Sequence, residues 1–171
     1  SCFGLLMSRH CGQTDIPIGV PFANRDHQKL QRLIGMLVNN LVLRIRPNLE
    51  ADFYELLGHV RQIALDAFAH AEIPFDLLVE AVDPVRDQSL TPLFQVLFVM
   101  QTTPLPNRLV PNLDLEMVEI DNGTAQFDLS LNAQEHNGGI QGWFNYNTRL
   151  FNDATITRWI GHFNNLLEAV T

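Results

Sequence analysis

The 171 residues carry 11 lysines and arginines against 19 aspartates and glutamates, which gives a formal charge of -8 and an isoelectric point near 5.0. A chain this acidic repels polyanions, and no cluster of cations overrides the average, so nucleic acid is excluded as an expected partner. Because 46% of the residues are hydrophobic, the chain can bury a sizeable core, and we expect one compact unit.

The cysteines and the apolar stretches bear on the compartment. Cys2 and Cys11 match no metal-ligand spacing, so we interpret them as free thiols in a reducing compartment. No apolar stretch approaches the roughly 20 residues needed to span a bilayer, and no basic segment followed by an apolar one opens the chain. We therefore expect a cytoplasmic protein with no membrane partner and no metal.

The first third of the chain is predicted to form a helix and two strands. Phe3, Leu6 and Met7 lie on a helical stripe that starts at the first residue without a cap, as though the chain had been cut inside an element. Residues 15–23 and 34–46 have the composition of strands and are joined by a polar connection. We therefore expect this sequence to be a fragment.

The middle of the chain is predicted to be helical. Residues 52–71 space their apolar side chains one helical turn apart, which indicates a long amphipathic helix. Pro74 stands where the first position of a second, shorter helix would be, and the loop that follows ends at Pro92.

The last part of the chain is predicted to alternate strands with turns before a final helix. The predicted strands are residues 93–101, 113–120, 125–134 and 140–147. The final helix is expected to begin near Asn152 or Asp153, since either side chain can cap it. The order of elements predicts an α/β fold, a layered α/β sandwich with a mixed sheet.

Three segments are long enough to compare with known families, namely IGMLVNNLVLR at 34–44, HAEIPFDLLVE at 70–80 and RDQSLTPLFQVLFVMQ at 86–101. Together with GQTDIPIGVPFANR, TAQFDLSL and NYNTRLF, which match in order, they resemble the condensation domains of nonribosomal peptide synthetases. The resemblance covers nearly the whole chain. Leu37, Asn40, Ala71 and Glu72 depart from the residues usual in that family, which we interpret as drift within it.

One family motif is missing from the sequence. The catalytic H-H-x-x-x-D-G motif lies in the first of the family's two lobes, and this chain has no adjacent pair of histidines. The resemblance therefore implies that residues 1–171 are the second, C-terminal lobe of a chloramphenicol acetyltransferase-like fold, incomplete at its start. The chain would end where a linker to an adenylation domain follows.

The resemblance also implies a reaction and a set of partners. In that family an upstream carrier protein presents an acyl or peptidyl thioester, a downstream carrier presents an aminoacyl thioester, and the amine attacks the thioester carbon to form a peptide bond. Both reactants are tethered through phosphopantetheine, and no cofactor is bound directly. This lobe would supply channel wall and carrier-docking surface beside the N-terminal lobe and a neighbouring adenylation domain.

Two polar patterns supply the candidate substrate-channel residues. Along residues 125–134 alternate positions are polar, so one face of the strand should contact water or a polar channel. Ser130 and Asn132 are the channel candidates on that face. Gln95 also lies in a mostly apolar strand and needs a partner. An ordinary half-solvated strand would show the same alternation.

Asn39 stands on an otherwise apolar strand face, where an unpaired amide would cost roughly 1–3 kcal/mol. Either a neighbouring backbone binds it, or that face opens onto the channel, and the resemblance favours the channel. Asn40 lies on the face that becomes polar along the strand and needs little explanation.

The remaining candidate residues are interpreted as structural. Asp128 is expected to be a structural carboxylate, His70 to organise the turn that follows its helix, and Arg86 and Asp87 to belong to the structural part of the third segment. The polar stripe of the long helix, which includes His59 and His70, is interpreted as a solvated face, and we expect no catalytic residue in this chain. Two other functions stay open: a catalytically silent docking module, and one lobe of an epimerisation domain.

Overall fold

The computed structural model describes residues 1–25, 28–85, 87, 90–101, 123–136 and 138–170. The strand predicted at 113–120 lies outside these residues. In chain order the described elements are α1 (Cys2–Cys11), β1 (Ile16–Phe22), β2 (Asn39–Ile45), α2 (Phe53–Ala69), α3 (Phe75–Val82), β3 (Val96–Gln101), β4 (Leu129–His136), β5 (Gly139–Tyr146) and α4 (Asp153–Val170).

The five described strands form one sheet in the order β2-β1-β3-β4-β5. β1 is antiparallel to β2, and β4 is antiparallel to β5, whereas β3 runs parallel to both β1 and β4. The sheet is therefore mixed, and the α/β class predicted from the order of elements is confirmed. The parallel pairs need crossover connections, and α2 and α3 lie in the connection between β2 and β3.

One face of the sheet is packed against helices. α1 packs on α4 and β1, and α2 packs on β2. The apolar face consists of alternate strand residues, as the period of two requires. The buried cluster contains Phe3, Leu6 and Met7 of α1, Ile156 of α4, and the strand residues Ile16, Ile18, Leu43, Ile45, Leu129 and Leu131.

Capping residues set the bounds of the helices. The Asp52 side chain accepts a hydrogen bond from the Glu55 N–H at 2.8 Å, and Asn152 accepts one from the Thr155 N–H at 2.9 Å. The final helix is therefore capped by Asn152, the first of the two expected residues. Pro74 is the N-cap of α3, one position before the helical position predicted for it.

The segment before β2 differs from the prediction. Its strand was expected from residue 34, but β2 begins at Asn39, and the side chains of Ile34 and Met36 are 104% and 92% exposed. The reason is Arg25, whose guanidinium donates to three backbone carbonyls of the segment 28–38 and holds it as a loop. These contacts cannot be seen in the apolar pattern of the segment.

A close contact on the opposite face of the sheet fixes the residue at position 19 of β1. A Cβ atom at Gly19 would lie 2.2 Å from a ring carbon of Phe94, which no side chain tolerates. Phe94 has no exposed surface, and its ring packs on Phe75 of α3 and on Phe127. The three rings cover the sheet over β1.

Candidate functional site

The sheet surface opposite the helices is polar at β4 and β5. Strand register places Ser130 beside Asn145, Asn132 beside Trp143, and Gln134 beside Gln141. We call these six residues the polar face. The alternation predicted for residues 125–134 is the source of its β4 half, whereas its β5 half was not predicted.

The hydrogen bonds that side chains of the polar face make are long. The Gln134 side chain donates to the Gln141 side-chain oxygen at 3.4 Å, and the Asn145 side chain donates to the Thr124 carbonyl at 3.5 Å. Such distances lie at the weak end of hydrogen bonding. The polar face therefore offers amide groups that its own contacts hold only loosely.

The two channel candidates of β4 differ in their surroundings. Ser130 is only 7% exposed, and its hydroxyl donates to the Asn145 carbonyl at 3.4 Å. Asn132 is half-buried between Val99 and Trp143, and within the described part of the chain no hydrogen bond of its carboxamide is found. Asn132 can therefore accept and donate hydrogen bonds to a molecule that covers the face.

Asn39 is paired with backbone, which corrects the expectation that it faces the channel. Its side-chain N–H groups donate to the carbonyls of Ala71 and Ile73 at 3.0 and 2.7 Å, and its side-chain oxygen accepts from the Phe75 N–H at 3.0 Å. The same oxygen also accepts from the Asn40 N–H at 3.0 Å. The carboxamide joins the start of β2 to the turn between α2 and α3. Of the two alternatives for Asn39, pairing with neighbouring backbone is therefore the one that the structure has.

Gln95 lies apart from the polar face. Its side chain donates to the Thr91 carbonyl at 3.0 Å, and its own carbonyl accepts from the Asp128 N–H at 3.1 Å. Gln95 and Asp87 line a pocket of about 440 Å³ between α3 and the loop before β3. Leu93, in the wall of this pocket, has a φ of 69°, a backbone conformation that is rare for such a side chain. Arg86 lies outside the described residues.

His70 and Asp128 occupy junctions between elements. The His70 ring Nδ1 lies 2.8 Å from the Asp66 carbonyl, to which it donates, and the His70 carbonyl accepts from the Ile73 N–H. Asp128 joins two strands through its backbone, since its N–H donates to Gln95 and its carbonyl accepts from the Asn147 N–H at 3.0 Å. These contacts join neighbouring elements, and the structural roles of His70 and of the Asp128 carboxylate stay predictions.

An imidazole pair was missed because its members are 152 positions apart. The His10 ring stacks on Trp159 with a centroid distance of 4.6 Å, and His10 Nε2 lies 3.1 Å from His162 Nδ1. Burial lowers the pKa of His10, and the electrostatic effects of the neighbouring His162 and Arg158 lower it further. Both histidines look isolated in the sequence, whereas in the fold they fasten α1 to α4.

Two features are absent from the described residues, a cluster of metal-ligating side chains and a helix able to span a membrane. Among them no group of three or more histidine, cysteine, aspartate or glutamate side chains could hold a metal ion. None of the described helices has the length and hydropathy of a transmembrane span. Cys2 and Cys11 are both free, and burial raises the pKa of the Cys2 thiol.

Comparison with known proteins defines the class. The family model of the condensation domain matches residues 1–171 in full, so the chain belongs to the condensation-domain family of nonribosomal peptide synthetases. The resemblance seen in the sequence segments is thereby confirmed.

Two proteins similar in sequence to this chain are large synthetases. The chain is 40% identical to malpinin synthetase of Mortierella alpina over 100% of its own length, and 38% identical to bacitracin synthase 3 of Bacillus licheniformis over 95%. It spans only 2% and 3% of the lengths of these two relatives.

Solved structures with the same fold include a four-domain nonribosomal peptide synthetase, holo-AB3403, with a TM-score of 0.88 and 21% identity. The match covers 98% of this chain and 14% of that one. The condensation domain of the Monacolin K polyketide synthase MokA gives a TM-score of 0.80 at 19% identity, over 97% of this chain and 39% of that one. The fold is therefore that of condensation domains.

Proposed function

We propose that residues 1–171 belong to the C-terminal lobe of a condensation domain that joins two carrier-bound thioesters through a peptide bond. The fraction of each solved structure that this chain matches supports its assignment to one of two lobes. The chain matches 39% of the MokA condensation domain and 38% of the X-domain from teicoplanin biosynthesis. A second lobe, placed N-terminal, would complete the domain.

In the proposed reaction an amine on the downstream carrier attacks the thioester carbon of the upstream chain. The carbon–nitrogen bond forms, the carbon–sulfur bond breaks, and the upstream pantetheine leaves as a thiol. The reaction needs two tethered reactants held in line, and it needs a group that handles the amine proton and the developing oxyanion. The family's histidine motif would supply that group from the other lobe.

The polar face is the structural feature that supports a channel-wall role for this lobe. A phosphopantetheine arm and a peptidyl chain are rich in amides, and an amide that leaves water must regain its hydrogen bonds. Neutral carboxamides such as Asn132 can both donate and accept. The polar face therefore suits the wall of a channel through which an amide-bearing chain passes.

The candidate channel residues differ in how free their polar groups are. Asn132 has no competing partner within the described residues, so we place it in direct contact with the tethered chain. Ser130 already donates its one hydroxyl proton to the Asn145 carbonyl, so it keeps only acceptor capacity for a substrate. Gln95 already uses one side-chain N–H on the Thr91 carbonyl, so it keeps one N–H and its side-chain oxygen. Asn39 is excluded because its carboxamide is used by the backbone.

The proposed partners are the N-terminal lobe, two peptidyl carrier proteins and a neighbouring adenylation domain. The relatives are synthetases many times longer than this chain, and this supports partners that belong to the same synthetase. The cytoplasm is the compartment proposed for them. Phosphopantetheine enters only as the tether of the carriers.

The test of the proposed function is a condensation assay with both carriers loaded. The complete condensation domain that contains this lobe is expected to give peptidyl product, while residues 1–171 alone are expected to give none above the uncatalysed background. Product from the lobe alone, or none from a folded complete domain with either orientation of the carriers, contradicts the proposal.

A docking role without catalysis is the second candidate. The X-domain from teicoplanin biosynthesis, solved in complex with OxyB, shares the fold with a TM-score of 0.83 over 99% of this chain. At 21% identity the likeness concerns the fold alone. A complete domain that binds carriers but forms no peptide bond would favour this role.

A further inference from the structure

The C-terminal end of α1 is joined to the middle of α4 by a hydrogen bond between two histidines. His10 Nε2 and His162 Nδ1 lie 3.1 Å apart, and the two ring planes are 6° from parallel. A hydrogen bond between two ring nitrogens needs one nitrogen that carries a proton and one that does not. The pair therefore keeps this bond when it is neutral or carries one positive charge, and it loses the bond when both rings are protonated.

The position of the His10 ring is fixed by a second contact with α4. The ring packs on the indole of Trp159 with a centroid distance of 4.6 Å and an interplanar angle of 27°. The same indole is held from another direction by Phe151, whose ring centroid lies 5.4 Å away. His10 is half-buried, whereas His162 is exposed to solvent. His10 therefore cannot turn away from His162 without giving up its contact with the indole.

The charged side chains around the pair are positive. Arg9 precedes His10 in α1, and Arg158 lies one turn before His162 in α4. β1, which packs on α1, has no titratable side chain. An open cleft of about 360 Å³ beside the pair is lined by the two histidines and by Leu6, Arg9, Asn165 and Leu166. None of these lining residues is acidic, so a second positive charge on the pair meets no carboxylate among them that would balance it.

The titration of His10 agrees in direction with this geometry. Burial lowers the pKa of His10 in the folded chain, and the neighbouring His162 and Arg158 lower it further. In the unfolded chain the imidazole has its ordinary pKa of about 6.5, so the unfolded chain binds more protons than the folded one. The contribution of His10 to stability is therefore lost as the pH falls through about 6.5, and the loss is complete below the lowered pKa of the folded state.

We propose that the His10–His162 pair is a proton-operated clasp, which fastens α1 to α4 near neutral pH and releases α1 when both rings are protonated. The first proton is tolerated, because a singly charged pair keeps the hydrogen bond and the C-terminal end of a helix favours a positive charge. The second proton replaces the bond by repulsion between two cations whose nitrogens lie 3.1 Å apart. Because α1 supplies Phe3 and Leu6 to the buried cluster, release loosens the helix layer that covers the sheet.

The first test is a double-mutant cycle on the melting temperature of the 171-residue protein. His10→Phe keeps an aromatic ring on Trp159 but cannot be protonated, and His162→Ala removes the other half of the clasp. The wild type, the two single variants and the double variant are compared at about pH 7.5 and at about pH 5, on either side of the ordinary imidazole pKa. The coupling is expected to be favourable by about 2–4 °C at the higher pH, the value of one hydrogen bond, and to vanish or change sign at the lower pH. Carboxylates elsewhere titrate in all four proteins, so their effect cancels.

The second test follows protonation of His10 through the fluorescence of Trp159. A protonated imidazole in contact with an indole quenches its emission, and the background variant Trp143→Phe leaves Trp159 as the one tryptophan of the chain. The quenching midpoint is expected below about pH 6.5, and His162→Ala is expected to raise it, because the group that opposes protonation is gone. His59→Gln is the control: His59 is exposed on α2, and its loss is expected to leave the midpoint unchanged. Far-UV circular dichroism of each variant checks that the fold is retained.

Three results would overturn the proposal. The first is a coupling between positions 10 and 162 that is the same at both pH values, which would make the pair a contact that protons do not operate. The second is a quenching midpoint that is equal with and without His162. The third is a His59→Gln control that moves the midpoint as far as His162→Ala does.

Discussion

The carboxamide of Asn39 makes three hydrogen bonds to backbone groups 32 to 36 positions away, so its removal should be costly. The Asn39→Ala variant leaves two carbonyls and two N–H groups, those of Phe75 and Asn40, without this partner at the junction of β2, α2 and α3. Each bond contributes about 0.5–1.5 kcal/mol net, and buried groups left unpaired cost more. The site is part-buried, so water can reach some of the groups, and we expect a loss of about 2–3 kcal/mol.

The assay is urea unfolding together with thermal melting. For a chain of this length, 1 kcal/mol corresponds to about 2–4 °C, so the melting temperature should fall by about 5–10 °C. Asn39→Asp keeps the acceptor for Phe75 but places a charge against two carbonyls, and it should be at least as destabilising. Asn40→Ala is the matched control and should cost under about 0.5 kcal/mol. An unchanged stability in Asn39→Ala, or an equal loss in Asn40→Ala, would refute the reasoning.

Three further predictions each depend on the contacts of one residue. Gly19→Ala drives a Cβ into Phe94 and should cost more than about 3 kcal/mol in urea unfolding, while the added change Phe94→Leu should recover part of the loss. The hydrogen bond from Tyr146 to Asp153 raises the pKa of the phenol, so Asp153→Asn should move its ultraviolet titration to lower pH. Hydrogen bonds from its arginine partners lower the pKa of Asp15, so its contribution to stability is present above about pH 4 and is lost as the pH falls through the lowered value. Asp15→Asn should therefore flatten the acid limb of a stability profile, and an unchanged limb would contradict this.

The periodic elements could be predicted from the sequence because their side chains repeat with the geometry of the backbone. The spacing of apolar residues in 52–71 predicted the bounds of α2 to within a few positions. The polar alternation in 125–134 predicted the β4 half of the polar face. The start of β2 could not be predicted, because Arg25 holds the preceding apolar segment as a loop through contacts made only after folding.

The site residues were harder to predict than the elements. Asn39 was placed correctly on an apolar face, but its partners come from residues 71–75, and nothing in local sequence reveals which of two buried environments satisfies an amide. The β5 half of the polar face was missed because only the register with β4 places Gln141, Trp143 and Asn145 beside its polar residues. Register depends on pairing across the sheet, which a single sequence does not state.

The central claim is that the polar face lines a channel for an amide-bearing tethered chain, and one variant tests it most directly. In the complete condensation domain, Asn132→Ala should reduce the initial rate of peptide formation by about two- to tenfold, the value of one lost hydrogen bond, while the melting temperature stays within about 2 °C. Asn165→Ala, an exposed amide on α4, is the control and should change neither quantity. A normal condensation rate in folded Asn132→Ala, or a rate loss matched by an equal loss in Asn165→Ala, would contradict the account.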